Sequence, residues 1–323
     1  MAISAKDVKE LRERTGAGMM DCKKALTESG GDFEGALEEL RKKGQKVKDK
    51  RADRDANEGV VVAKVDGDRG AILALSCETD FVAKNEGFVA LANQILDEAF
   101  AHNCTGAEDV MKLQIDGEPI EERLTNETGK TGEKIEVRDF RSLQGSELTQ
   151  YIHAGSKIGV LVAYKGGGKD NAPEFFRGVA MHIAAMNPSG MTPDEFDDDL
   201  IQKETVSIQE QIKVKNEDNA RLSKPLQTVP QYVSRKQLTP EVMAAAETEI
   251  KEGLKAEGKP EKIWDKIVPG KLARFVADNT LLDQERCLMS QFYALDEDKT
   301  VEQAVAAFDD DAEVVQYHRV SVG

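Results

Sequence analysis

Apolar positions in the first 44 residues recur at helical spacing and are broken by glycines. Ser4 is followed three residues later by Asp7, a capping-box start, and Val8 and Leu11 then share a face. Gly16 and Gly18 end that helix. A second runs from about Met19 to Ser29 and stops at Gly30-Gly31. Asp32 caps a third, whose Phe33, Ala36, Leu37 and Leu40 fall at the i, i+3, i+4, i+7 spacing of one buried stripe, and Gly44 ends it. Residues 1–44 therefore predict a compact three-helix module, too small to be more than marginally stable alone. Residues 45–58 carry Lys46, Lys48, Lys50, Arg51 and Arg54 and almost no large apolar side chain, which predicts a charged, solvated linker.

Beyond residue 58 the period changes. Val60 to Val65 and Ala71 to Leu75 read as strands around the turn Asp66-Gly67-Asp68-Arg69-Gly70. A helix from Phe88 to about Ala101 follows, with Leu91, Ile95 and Ala99 on one face. The pattern then returns: Leu73 matches Leu161, Glu86 matches Glu174, Phe88 matches Phe176, Ala92 matches Ala180 and Ile95 matches Ile183, all at an offset of 88 residues. A constant offset across a hairpin and its helix predicts a duplicated sheet-plus-helix unit. The expected pieces are a first core subdomain over 59–140 and the start of a second over 141–194.

Residues 195–217 and 240–257 read as helices. Ile201, Thr205, Ile208 and Ile212 follow the seam spacing of a short coiled coil, and Val242, Ala246, Ile250 and Leu254 supply a facing stripe. Pro225 and Pro230 forbid a continuous helix between them. An antiparallel coiled-coil hairpin over 195–257 is expected, inserted into the second subdomain. A helix over 260–278, another over 300–308 and a final strand from Ala312 to Val322 are expected to complete that subdomain over 258–323. The fold class is α+β.

Acidic residues outnumber basic ones by 16, which disfavours a phosphate-backbone binder and favours protein partners. The N-terminal residues show no apolar signal-peptide core, and no apolar run approaches membrane-span length. Cys22, Cys77, Cys104 and Cys287 are scattered, with no Cys-x-x-Cys pair, which argues against a zinc site and for reduced thiols in the cytosol. Gly166-Gly167-Gly168-Lys169-Asp170 fails as a phosphate loop, because Ala163 stands where glycine is required and Asp170 where a hydroxyl must bind magnesium. His102, His153, His182 and His318 form no pair at metal-ligand spacing, and no nucleophile elbow is present. No cofactor and no bond-making enzyme chemistry is expected.

The most informative stretch follows the second strand: Thr79-Asp80-Phe81-Val82-Ala83-Lys84-Asn85. A strand-to-helix junction is a place where side chains are offered to a ligand or partner. Two readings of Phe81 stand. In one, Thr79 caps a helix and Phe81 tucks into the core; in the other, Phe81 is an apolar wedge flanked by charge. The second copy of the repeat has Gly167-Gly168-Lys169 at this junction, and a core wedge is expected to survive duplication more often than a binding wedge.

Leu11-Arg12-Glu13-Arg14-Thr15-Gly16-Ala17-Gly18-Met19-Met20-Asp21-Cys22-Lys23-Lys24-Ala25-Leu26, followed by the linker and then Thr79 to Asn85, closely resembles bacterial elongation factor Ts over almost the whole chain. The resemblance implies a guanine nucleotide exchange factor for the translational GTPase elongation factor Tu, acting in the cytoplasm without a bound cofactor. It implies a ubiquitin-associated-like N-terminal bundle and a coiled-coil protrusion through which self-association or a further contact is possible. It implies that Thr79, Asp80, Phe81 and Val82 dislodge the partner's magnesium ion, with Phe81 as wedge and Asp80 as polar anchor. Met19, Met20 and Lys23 would face the GTPase from the N-terminal module, and His153 and His182 would touch it from the second subdomain. Longer members continue into a C-terminal helix that also touches the partner, a contact not carried over to a chain that stops at Gly323. The alternative is a ubiquitin-associated-like adapter without exchange activity.

Overall fold

The computed structural model describes residues 3–323. In chain order it contains α1 (Ala5–Thr15), α2 (Met19–Glu28), α3 (Phe33–Arg51), β1 (Glu58–Asp66), β2 (Arg69–Cys77), α4 (Asp80–Ala83), α5 (Glu86–Ala101), α6 (Ala107–Val110), β3 (Gln114–Ile115), β4 (Glu118–Pro119), α7 (Ile120–Thr131), β5 (Glu136–Gln144), β6 (Glu147–Ile152), β7 (Ile158–Gly166) and α8 (Ala172–Met186). There follow α9 (Asp198–Arg221), α10 (Pro240–Ala256), α11 (Trp264–Asp278), α12 (Leu281–Arg286), β8 (Phe292–Tyr293), β9 (Asp296–Thr300), α13 (Val301–Phe308) and β10 (Ala312–Ser321). The class is α+β. The chain divides into one unit of Met1–Ala185 with Asp311–Gly323, and another of Met186–Asp310.

In the first unit, α1 opens with the reciprocal Ser4–Asp7 capping box and α3 with Asp32 accepting from the Gly35 amide at 2.8 Å. Leu11, Leu26 and Ala36 are fully buried between α1, α2 and α3. The expected stop at Gly44 does not occur. α3 continues to Arg51, so about half of the expected linker is helix. The reason is tertiary. Gly44 crosses α7 so closely that a Cβ there would lie 2.7 Å from the Thr125 carbonyl oxygen, and one on Gly129 would lie 3.0 Å from the Gly44 Cα. The glycine permits close helix approach rather than terminating the helix. Basic residues of the expected linker region join this contact, with Lys48 3.2 Å from Glu121, and Arg41 of α3 lies 3.1 Å from Glu122. Such exposed pairs contribute little, so packing at the crossing decides the attachment.

One antiparallel sheet has the order β1-β2-β5 and another β10-β7-β6. The central strands β2 and β7 carry the paired positions Leu73 and Leu161, and α5 and α8 carry Phe88 and Phe176, all four buried. Val61, Ile72, Ala74, Leu161, Ala163 and Val320 form a shared apolar layer. β5 runs to Gln144, past the expected boundary at residue 140.

In the second unit the expected helix pairing is different. α9 begins at the Asp197 cap, but α10 packs principally along α11 rather than along α9. The segment after α9 returns along it in extended form. Asn216 Nδ2 donates to the Gln227 carbonyl at 2.7 Å, the Gln227 amide returns to Asn216 Oδ1 at 2.7 Å, and Gln209 Nε2 donates to the Pro230 carbonyl at 2.9 Å. Ile201 is buried with Phe196, Val233 and Leu282. The prolines that break the helix leave an extended strip able to cover the α9 stripe, and α10 is released to pair with α11. The expected 258–323 piece is also divided: residues 258–310 belong to the second unit, and only β10 returns to the sheet of the first.

Candidate partner-binding site

β2 pairs with β1 as far as Cys77, opposite Glu58. Beyond it, the amides of Glu78 and Thr79 leave the ladder and need other acceptors. Glu133 supplies them. Its Oε2 accepts from the Glu78 amide at 3.2 Å and the Thr79 amide at 3.0 Å, and its Oε1 accepts from the Thr79 hydroxyl at 2.6 Å. Glu78 answers in the opposite direction, accepting from the Lys134 amide at 2.7 Å and from Arg51 at 2.5 Å. Burial works to raise the Glu78 carboxyl, but the Lys134 N–H and the Arg51 guanidinium hold it below the usual carboxylate range.

The turn α4 sits on this clasp. Val82 and Ala83 pack against the first sheet's core, while Phe81 is 83% exposed. The core reading of Phe81 is thereby corrected, and the helical turn separates Val82 below from Phe81 above. Thr79 occupies the cap position but gives its hydroxyl to Glu133 rather than to α4. Asp80 pairs with Lys84 at 2.7 Å, and that hydrogen bond holds its carboxyl below the ordinary value.

On α2, Met19 is 58% exposed, Met20 is 73% exposed, and Lys23 is also exposed. Neither methionine fills the bundle core. Phe81 and Val82 line a cleft of about 1100 Å³ together with Gly16, Asp21, Leu37 and Lys130, so the junction and the N-terminal helices open onto one space. Met19, Met20 and Lys23 lie outside that lining. His153 is exposed near the end of β6, where its Nδ1 is 3.0 Å from the Tyr151 hydroxyl. His182 is only 1% exposed in α8, so the expected contact role is withdrawn for it. It lies on the helix face that carries Val179 and Ile183 inward. Among the described residues no cluster of three or more His, Cys, Asp or Glu side chains is placed to hold a metal, and no helix is long and apolar enough to cross a membrane.

The site residue that the sequence pattern does not reveal is Glu133. It lies 54 positions from Thr79, and only the left-handed Gly132 that ends α7 hints at a fixed turn there.

A family model described as elongation factor TS matches residues 78–229 and 226–323. The chain belongs to the elongation factor Ts family. It is 64% identical over 322 residues to the elongation factor Ts of Rhodopirellula baltica, with 99% of each chain covered. It is 44% identical over 333 residues to that of Helicobacter pylori, covering 99% of this chain and 94% of the relative. The elongation factor Ts of Campylobacter curvus is 42% identical over 335 residues. Family membership places the chain among the translation elongation factors.

Cys77 lies directly beneath the junction and donates to the Thr79 carbonyl at 3.2 Å. Burial, with the nearby Glu133 carboxylate adding to it, pushes the thiol up to about 12. Since the thiolate is the nucleophile, and Cys22, Cys104 and Cys287 are buried too, the native protein is expected to react negligibly with a thiol reagent at neutral pH. Full reaction is expected in denaturant. Rapid native labelling of Cys77, located by peptide mapping, would show that the junction opens readily.

Proposed function

We propose that this protein is a guanine nucleotide exchange factor that binds elongation factor Tu·GDP, releases GDP and so lets GTP enter. The carrying observation is Phe81, held exposed on a clasped strand-to-helix junction. Thr79, Asp80, Phe81 and Val82 form the segment that disturbs the partner's magnesium ion, with Phe81 as the wedge. Met19, Met20 and Lys23 form a second contact from the N-terminal helices, since methionine suits an adaptable apolar surface. His153 belongs to a third. The N-terminal module, the duplicated core and the helical insertion serve as separate platforms, with residues 79–82 on the first core unit.

The protein needs no nucleotide pocket for this role. It needs contacts that fit the nucleotide-free partner better than the loaded one. Coupling is then reciprocal: the factor by which it weakens GDP is the factor by which GDP weakens it. The setting is the cytoplasm, with no direct nucleic-acid contact and no chemical step. A further contact or self-association is assigned to the helical insertion.

Magnesium bridges phosphates to a GTPase and stabilises the loaded state, so it should oppose this protein. The test is to titrate the binary complex with GDP at low and high magnesium, at ionic strength matched with a monovalent salt, because screening alone weakens charged interfaces. GDP is expected to displace the protein at lower concentration when magnesium is high. Equal displacement at both would rule out the magnesium route while leaving exchange open. The adapter reading predicts binding with no change in the GDP release rate.

A further inference from the structure

We infer that Glu133 is the positioning residue of the Phe81 junction: its carboxylate fixes the strand-to-helix turn in the shape that presents the aromatic ring. The inference rests on the exchange reading above and adds a residue outside the 79–82 segment.

α4 has four residues, Asp80–Ala83, and one isolated turn does not hold itself in water. Two attachments fix it. Val82 and Ala83 dock on the core from below. Glu133 takes up three donors from the two residues just before the turn, the amides of Glu78 and Thr79 and the Thr79 hydroxyl. Hydrogen bonds to an ionised acceptor are shorter and stronger than neutral ones. Without Glu133 the two amides turn to water, and the direction in which α4 leaves the strand is set only by the small Val82–Ala83 contact.

Glu133 is itself anchored. α7 ends at Gly132, which adopts φ of 73° and donates to the Thr128 carbonyl at 2.9 Å, and the Glu133 amide donates to the Thr131 hydroxyl at 3.2 Å. A side chain with a Cβ is strained at that φ, so glycine lets the chain turn sharply and deliver the carboxylate. The reverse bonds, from the Lys134 amide and Arg51 to Glu78, close the clasp and connect the junction to the end of α3. The orientation of the wedge is thus tied to α7 and to the N-terminal helices.

A residue that acts through Phe81 loses its effect once Phe81 is gone, whereas an independent contact or a general stabiliser does not. The experiment is a double-mutant cycle on the full chain, with release of a fluorescent GDP analogue from elongation factor Tu as readout. Glu133→Ala is expected to slow release about tenfold in the wild-type background and less than about twofold in the Phe81→Ala background. Glu133→Gln keeps a carbonyl acceptor for the Thr79 amide and is expected to recover most of the rate. If Glu133→Ala does not fold, Glu133→Asp replaces it in the cycle, because it draws the carboxylate back by one methylene, and the same pattern is expected. Multiplicative losses from Glu133 and Phe81, or a normal rate for the Glu133 variant beside a slow Phe81 variant, would overturn the inference and leave the exchange reading standing. A normal rate for Phe81→Ala would overturn both.

Discussion

Phe81→Ala is expected to slow GDP release from elongation factor Tu by about ten- to a hundredfold, the range set by burying one aromatic at roughly 1.5–3 kcal/mol in a coupled equilibrium. The same substitution should leave the free protein intact. Phe81 is 83% exposed, and surface changes away from caps, cores and strained backbone shift stability by about 0.5 kcal/mol or less. Stopped-flow release and thermal unfolding are measured on the same sample. The expected pair is a slow rate with an unchanged melting temperature. Normal exchange with a large drop in melting temperature would place the ring in the core and remove the basis of the exchange reading.

Gly44→Ala is expected to weaken the attachment of α1–α3 by about 1–3 kcal/mol, the usual cost of overpacking. Helix propensity alone argues the opposite, since Gly to Ala inside a helix is favourable by about 1 kcal/mol. Geometry decides the sign. The new Cβ would stand 2.7 Å from the Thr125 carbonyl oxygen, a backbone atom that moves only if α7 moves. Gly253 in α10 is the control, because nothing lies within 4 Å of a Cβ built there, so Gly253→Ala should be mildly stabilising. Amide hydrogen exchange over α1–α3 should speed up in the Gly44 variant. Binding to elongation factor Tu should fall wherever Met19, Met20 and Lys23 act together with the 79–82 segment. Protection of α1–α3 equal to or above wild type would mean that the crossing is loose enough to take a methyl group.

Much of the architecture is legible because it rests on neighbours in sequence. The Ser4–Asp7 box and the Asp32 cap are satisfied within one turn, so the starts of α1 and α3 fall where the pattern puts them. The 88-residue offset is followed in the helices, where Phe88 and Phe176, and Ile95 and Ile183, are all buried. In the strands it slips by one face, since Leu73 packs with Phe88 and Ile95 while Leu161 packs with Val61, Ile72 and Ala74, and successive strand residues point to opposite sides. In the candidate site, the sequence marks the Thr79–Val82 stretch and the two methionines but leaves the fate of Phe81 open. A single aromatic in a short turn has no periodicity to say which side it occupies.

Where the reading failed, two or more chemically reasonable partners competed. The α9 stripe reads equally well against a helix or an extended strip, and Asn216, Gln209 and the two prolines select the strip. Gly44 reads locally as a helix stop, yet its missing side chain is used at a crossing with a segment some eighty residues away. His182 looks available as an isolated polar residue, but the turn of α8 carries it inward with Val179 and Ile183. By itself, then, the sequence determined the α+β class, the starts of α1 and α3 and the location of the strand-to-helix junction, since each depends on capping or periodicity within a few residues. Only the tertiary structure decided that Phe81 points outward and that Glu133 clasps Thr79. Hydrogen bonds between residues 54 positions apart leave no periodic trace, and they form only when β2 and α7 have already been brought together by packing.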